Sequence, residues 1–232
     1  MSKKIFSVLT GVFAVALLVS LTSCSGHNRL SRAESEQGWI LMFDGETTEG
    51  WRGYNQAGFP DGWSVQDGTL FCSGRGGDVI FDQKFLNFHL KLDWRISEGG
   101  NSGIFVLARE LEGRPIWHSA PEIQILDNDA HPNVNPDQFA PALYDLIPPA
   151  VQNTRPAGEW NSVEVMIERG TFTIWQNGEQ VVQTQIGTPG WTRMVDESKF
   201  PLEYFGKLVP GYIGLQDHSD EVWFRNIKIR EL

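Results

Sequence analysis

Glu122 and Gln124 stand two residues apart in the stretch P-E-I-Q-I-L-D-N, Pro121–Asn128. Side chains alternate across a strand, so Ile123 and Ile125 face one way while Glu122 and Gln124 face the other. The apolar pair anchors the strand and the polar pair is presented. An acid and an amide side by side on an open sheet face can hydrogen-bond sugar hydroxyls, and an acid in a partly dry cleft can move a proton. Asp127 has the parity of the isoleucines, which places it at a rim where the strand has ended or bulged. The same spacing equally suits an edge strand that turns its polar face to water.

Other segments offer polar groups by the same logic. In G-Y-I-G-L-Q-D-H, Ile213 and Leu215 share one face, which leaves Gly214, Gln216 and His218 on the opposite one, with Asp217 where the strand turns. S-E-G-G-N-S-G-I-F-V-L, Ser97–Leu107, sets two glycines, Asn101 and Ser102 before an apolar strand. Glycines there allow a tight bend and leave room for a ligand to approach, although Asn and Ser also form plain hairpin loops. His89–Ile96 alternates cleanly, with Leu90, Leu92, Trp94 and Ile96 building core. His89, Lys91, Asp93 and Arg95 line the other face, towards a cleft or solvent.

The elements that position these residues are short strands. W-S-V-Q-D-G-T-L-F-C reads as a hairpin with Asp67–Gly68 at its tip, and Thr171–Gln185 as another about Asn177–Gly178; both pairs suit a two-residue turn that needs positive φ. Trp160–Arg169 is a strand with Val163, Val165 and Ile167 inward. The apolar parity changes between Phe224 and Ile227, which predicts a bulge near Arg225–Asn226. Two long irregular regions interrupt the strands, one running to about Glu159 and one over Gly187–Lys207. Ala140–Ile147 in the first is the only predicted helical turn. The sum is an all-β domain, a two-sheet antiparallel sandwich with almost no helix.

Composition agrees. The 232 residues include nine Trp, 24 Gly and 12 Pro, a turn-rich and aromatic-rich balance that supplies platforms for stacking on sugar faces. The formal net charge is −10 with no basic cluster, which disfavours nucleic-acid binding. Lys3 and Lys4, an apolar run from Ile5 to Leu21, and L-T-S-C at Leu21–Cys24 form a lipoprotein signal over residues 1–23, with Cys24 as the lipidated residue. The run is too short and wrongly flanked for a stable span. Membrane contact is therefore expected through lipid on Cys24 alone, in the cell envelope of a bacterium, on the periplasmic or surface side of the outer membrane. Residues 24–37 read as a flexible tether and 38–232 as a single domain. Cys72 is left without a partner for an intramolecular disulfide and reads as a small buried apolar group.

Taken together, G-W-I-L-M-F-D-G, F-x-L-x-x-D-W-R-I, G-G-N-S-G-I-F, P-E-I-Q-I-L-D-N, A-L-Y-D-L-I-P, A-G-E-W-N, L-Q-D-H and V-W-F-R-N-I-K-I resemble the 3-keto-disaccharide hydrolase family, in order from Gly38 to Leu232. The resemblance implies a concanavalin A-like jelly roll and action on glycosides whose sugar is oxidised at C3. E-I-Q-I-L-D also looks like a variant of the E-x-D-x-x-E strand of laminarinase-type glycosidases, with Gln124 in place of the middle acid and Asp127 in place of the last. That departure removes the close carboxylate pair of a retaining glycosidase. The implied chemistry needs a base near C2 and a proton for the leaving oxygen. Glu122 or His218 is the expected base, with the other returning the proton. Asn101, Ser102, Gln124 and Gln216 would hold hydroxyls or an enolate, Arg95 would neutralise charge, Tyr144 or Trp160 would stack on the ring, and Asp127 and Asp217 would orient these groups. No cofactor is predicted; a divalent metal would draw on Glu122, Asp127, His118 and His218, whose spacing matches no recognised signature. A carbohydrate-binding lipoprotein of lectin type is the alternative, since the same residues serve binding alone.

Overall fold

The computed structural model describes residues 26–200 and 203–232. Its thirteen strands are β1 Ile40–Leu41, β2 Trp51–Gly53, β3 Trp63–Gln66, β4 Thr69–Cys72, β5 Val79–Phe85, β6 Phe88–Ile96, β7 Asn101–Ala108, β8 Glu122–Leu126, β9 Asn161–Glu168, β10 Thr171–Gln176, β11 Glu179–Gln185, β12 Gly211–Leu215 and β13 Val222–Glu231. They form two antiparallel sheets. The larger runs β11-β10-β9-β6-β13-β4-β3, with β1 beside β13, and the smaller runs β2-β5-β12-β7-β8. This is the sandwich the alternation predicts.

Local chemistry sets the register. Asp67 and Gly68 close the β3–β4 hairpin with φ of 50° and 72°, and Asn177 and Gly178 close β10–β11 with φ of 51° and 85°; both φ values of each pair are positive, as a primed two-residue turn requires. β6 alternates buried and half-buried along its whole length. On β13 the register against β6 shifts between Arg225 and Lys228, with Asn226 at φ 54°, so the predicted bulge is present. Between the sheets lies one core in which Trp94, Phe85, Phe88 and Phe224 are fully buried. Cys72 is part of it, and burial pushes its thiol up to about 12, which leaves it a small apolar group.

Three expectations need correction. Ala140–Ile147 forms no helix; Leu143 bridges to Ile123 and Ile147, and Tyr144 N–H donates to the Glu122 carbonyl at 2.9 Å. The segment covers the free edge of β8, satisfying backbone groups that would otherwise stay unpaired. The region 187–207 is not all loop. It holds α2, Pro189–Glu197, whose first turn is capped by the Thr188 hydroxyl accepting from Trp191 N–H, with proline in the first turn.

The third concerns the segment read as a flexible tether, which is held over much of its length. Ser31 and Glu34 form a capping box on the short helix α1, Arg32–Glu36. Asn28 is buried; its N–H donates to Asn226 Oδ1 and its own Oδ1 accepts from Asn226 N–H, both at 2.8 Å. Glu34 pairs with Lys228. The bulge that exposes Asn226's backbone supplies the anchor. The signal and Cys24 lie outside the described residues.

Candidate active site

The outward face of the smaller sheet is divided. At one end Ile80 and Phe105 form a small second apolar cluster with Tyr54 and with Ile116, from the chain that returns over the sheet as a 3-10 turn, Ile116–His118. At the other end the outward positions are polar, and a cavity of ≈ 390 Å³ opens there. Its lining is Asn101 from β7, Glu122 and Gln124 from β8, Gln216 and His218 after β12, Trp117 from the 3-10 turn, Tyr144 from the edge-covering segment, and Lys199 and Phe200 after α2. This volume lies in the range of small-ligand sites.

Among the described residues Glu122 is the cavity's only carboxyl. It is buried, and burial, reinforced by the nearby Asp78 carboxylate, pushes it up to about 8 against the opposing pull of Lys199 and a hydrogen bond from Gln216. Its place depends on Gly103, which sits diagonally across on β7 facing the cavity, since a Cβ there would collide with Glu122 Oε1. Gln124 Nε2 donates to the Gln138 carbonyl at 3.2 Å. The side-chain oxygens of Gln124 and Gln216 are buried and accept from no protein donor, so each is placed to accept from a ligand hydroxyl.

An aromatic wall faces these groups. Phe200 lies between Tyr144 and Trp117, with ring centroids 6.3 and 6.0 Å away, and Trp117 is 38% exposed at the mouth. Lys199 Nζ sits 4.1 Å from the centroid of the Tyr144 ring and donates to Tyr144 Oη at 3.0 Å. Because that ammonium already donates to the phenol oxygen, the Tyr144 O–H is free to donate elsewhere. His218 is exposed at the rim.

Six of the expected site residues therefore meet: Asn101, Glu122, Gln124, Tyr144, Gln216 and His218. Five others stay outside the cavity. Arg95 and Trp160 lie on the outward face of the larger sheet, where the Arg95 guanidinium stands 5.1 Å from the Trp160 ring centroid and 4.4 Å from that of Trp223. Ser102 points into the sandwich and donates to the Gln216 carbonyl at 2.8 Å. Asp127 does sit beyond the end of β8, but its Oδ2 accepts from Gly99 N–H at 2.8 Å. Asp217 clamps a loop, its Oδ2 accepting from Gly76 and Gly77 N–H at 2.6 and 2.8 Å, and thereby fixes the chain next to His218. Of the four residues a metal would draw on, Glu122 and His218 line the cavity. Among the described residues no three His, Cys, Asp or Glu side chains form a cluster able to hold an ion.

A sequence model of the 3-keto-alpha-glucoside-1,2-lyase-like domain matches residues 38–230. The chain belongs to this family. A protein of Bacteroides thetaiotaomicron named 3-keto-disaccharide hydrolase is 37% identical, with 99% of each chain covered. Among solved structures, a proposed glycosyl hydrolase of Parabacteroides distasonis superposes with a TM-score of 0.84 at 30% identity, over 89% of this chain and 99% of that one. A galectin-like protein from Bacillus subtilis shares the fold alone, with a TM-score of 0.52 at 12% identity over 88% of this chain and 94% of that one.

In this lyase-like domain, three cavity residues escaped the sequence reading: Trp117, Lys199 and Phe200. Trp117 sits in the single 3-10 turn and Lys199 and Phe200 in irregular chain, where strand parity says nothing about direction. The one usable signal was aromatic residues in long loops, since loops of that length in compact domains are commonly functional.

Proposed function

We propose that the protein cleaves the glycosidic bond of 3-keto-glycosides by removing the C2 proton and expelling the C1 substituent, with water adding afterwards to complete a net hydrolysis. The observation that carries this reading is the lone Glu122 carboxyl, buried and held well above the ordinary carboxylate range. Double displacement calls for two carboxyl groups about 5–5.5 Å apart across the scissile bond, and the cavity wall offers one. A proton next to a ketone asks for less: one base of raised strength, donors for the enolate oxygen, and an acid at the leaving oxygen.

The residues take the following parts. The ionised Glu122 carboxyl accepts the C2 proton, and the electron pair moves towards the C3 ketone, where the Tyr144 O–H and the Lys199 ammonium stabilise the enolate oxygen. As that charge returns, a C1–C2 double bond forms and the C1–O bond breaks. His218 gives the leaving oxygen its proton. Water then adds at C1 of the enone and C2 regains a proton, so atoms and charge balance. Trp117 and Phe200 stack on the sugar while Asn101, Gln124 and Gln216 hold its hydroxyls. The name of the Bacteroides thetaiotaomicron relative and the family's lyase-like description support this reaction class.

The lectin reading shares the aromatic wall and the amides but gives no reason to bury an acid against its own ionisation. Product analysis by NMR separates the two. Incubation with 3-keto-glucosides and with their unoxidised parents is expected to release aglycone from the oxidised sugars only. Binding without release, or equal release from both, contradicts the proposal.

A further inference from the structure

The described chain begins on the face of the molecule opposite the cavity. Gly26, the first described residue, lies with Arg29 over the middle of β6 and β9, lining a crevice with Lys91, Ser162 and Lys228. Cys24 stands two steps along the chain before Gly26, at most ~7 Å of extended chain; even from Asn28, pinned on Asn226 and on the Gly68 carbonyl, four steps reach only ~14 Å. Anything attached at Cys24 is therefore confined to the outward face of the larger sheet.

That face has the chemistry of a surface meeting anionic headgroups. β6 and β13 turn Lys91, Arg95, Arg225, Lys228 and Arg230 outward, in a chain whose formal net charge is −10. Asp93 pairs with Arg225, Glu164 with Lys91 and Glu34 with Lys228, which leaves Arg95 and Arg230 as the outward cations of these two strands that no carboxylate pairs among the described residues. Half-buried Trp160 and Trp223 lie under the guanidinium groups, an indole and cation mixture suited to the bilayer interface.

We propose that lipid carried on Cys24 holds the protein with the outward face of the larger sheet against the headgroup layer of a bilayer, so that the substrate cavity opens away from the membrane. In forming that anchor, the Cys24 sulfur displaces a phosphate headgroup from the glycerol carbon of a phospholipid, making a thioether while the thiol proton leaves with the headgroup. The Asn28–Asn226 clamp makes the stalk short, and the shortness sets the orientation. The cavity thus faces soluble glycosides, and the sheet that binds no substrate takes the membrane.

The test uses the full chain processed in a lipidating bacterial host and reconstituted in phosphatidylglycerol-containing liposomes that carry a quencher on the lipid headgroup. Fluorophores are placed by Ser162→Cys, on the outward face of the larger sheet, or by Glu112→Cys, beside the 3-10 turn near the cavity; buried Cys72 stays unlabelled. The label at position 162 is expected to be quenched several-fold more than that at 112, and the difference to collapse when Asn28→Ala releases the clamp. Equal quenching at the two positions, the reverse order, or a mass without diacylglyceryl on Cys24 overturns the orientation. A difference that survives Asn28→Ala overturns the clamp as its cause.

Discussion

Glu122 is asked to do one thing that an ordinary carboxylate does badly, to take a proton from carbon near neutral pH. A base is most useful when its conjugate acid titrates close to the working pH, and burial brings Glu122 to about 8. The sign of the pH effect follows. The reactive form of the base is the carboxylate, so the limb of kcat/KM that Glu122 governs rises with pH through about 8 in the free enzyme. Glu122→Gln keeps the shape but cannot accept the proton. Its kcat on a chromogenic 3-keto-glucoside is expected to fall by roughly 10²–10⁴-fold, with the rising limb lost from what remains; unchanged turnover would remove Glu122 from the mechanism. Lys199 opposes the shift, so the site tolerates an ionisable acid without neutralising it outright.

At the scale of elements, the site depends on β7 and β8 lying close enough for Glu122 to lean across its neighbour. Gly103 permits this because its backbone takes an ordinary strand conformation and only the missing Cβ matters. Gly103→Ala is expected to displace the carboxyl by about a side-chain radius and to lower kcat/KM by about 10², a loss typical of misplacing a catalytic group by 1 Å. Circular dichroism should remain that of the folded wild type. Activity within twofold of wild type argues that the carboxyl position is not critical.

The parity of β8 and β12 made Glu122, Gln124, Gln216 and His218 legible from the sequence. Parity says which side of a strand a residue occupies and nothing about which sheet the strand joins. Arg95 and Trp160 were misplaced for that reason: β6 and β9 belong to the larger sheet. Lys199 and Trp117 were invisible because their direction is set by where irregular chain and the 3-10 turn land on the sheet. Asn28 was misread as tether because its partner, the bulge at Asn226, lies 198 residues away.

For the whole molecule, the buried acids set how stability varies with pH. Glu122 has a folded pKa of about 8 against an ordinary value of 4.5, and Asp78, desolvated beside Asp217, about 6 against 3.8. Between each pair of values the folded state binds more protons than the unfolded chain, so these groups make stability fall as pH rises. Glu164 acts oppositely. Its hydrogen bond from His89, with help from Lys91, holds it down to about 2, a contribution present above about 4.5 and lost as the pH falls towards 2. Maximum stability is therefore expected in mildly acidic solution. Glu122→Gln should match wild type near pH 4.5 and exceed it by an amount on the order of a few kcal/mol above pH 8, read from urea unfolding at both pH values. A constant difference across that range contradicts the assigned burial of the charge.

In the proposed reaction the C2–H bond breaks before the glycosidic bond. The direct measurement runs the reaction in D2O and examines C2 of the released sugar by NMR at early times. An enone, or a rehydrated 3-keto sugar carrying one deuterium at C2, is the predicted result; a product that keeps its full C2 proton contradicts this order of bond breaking.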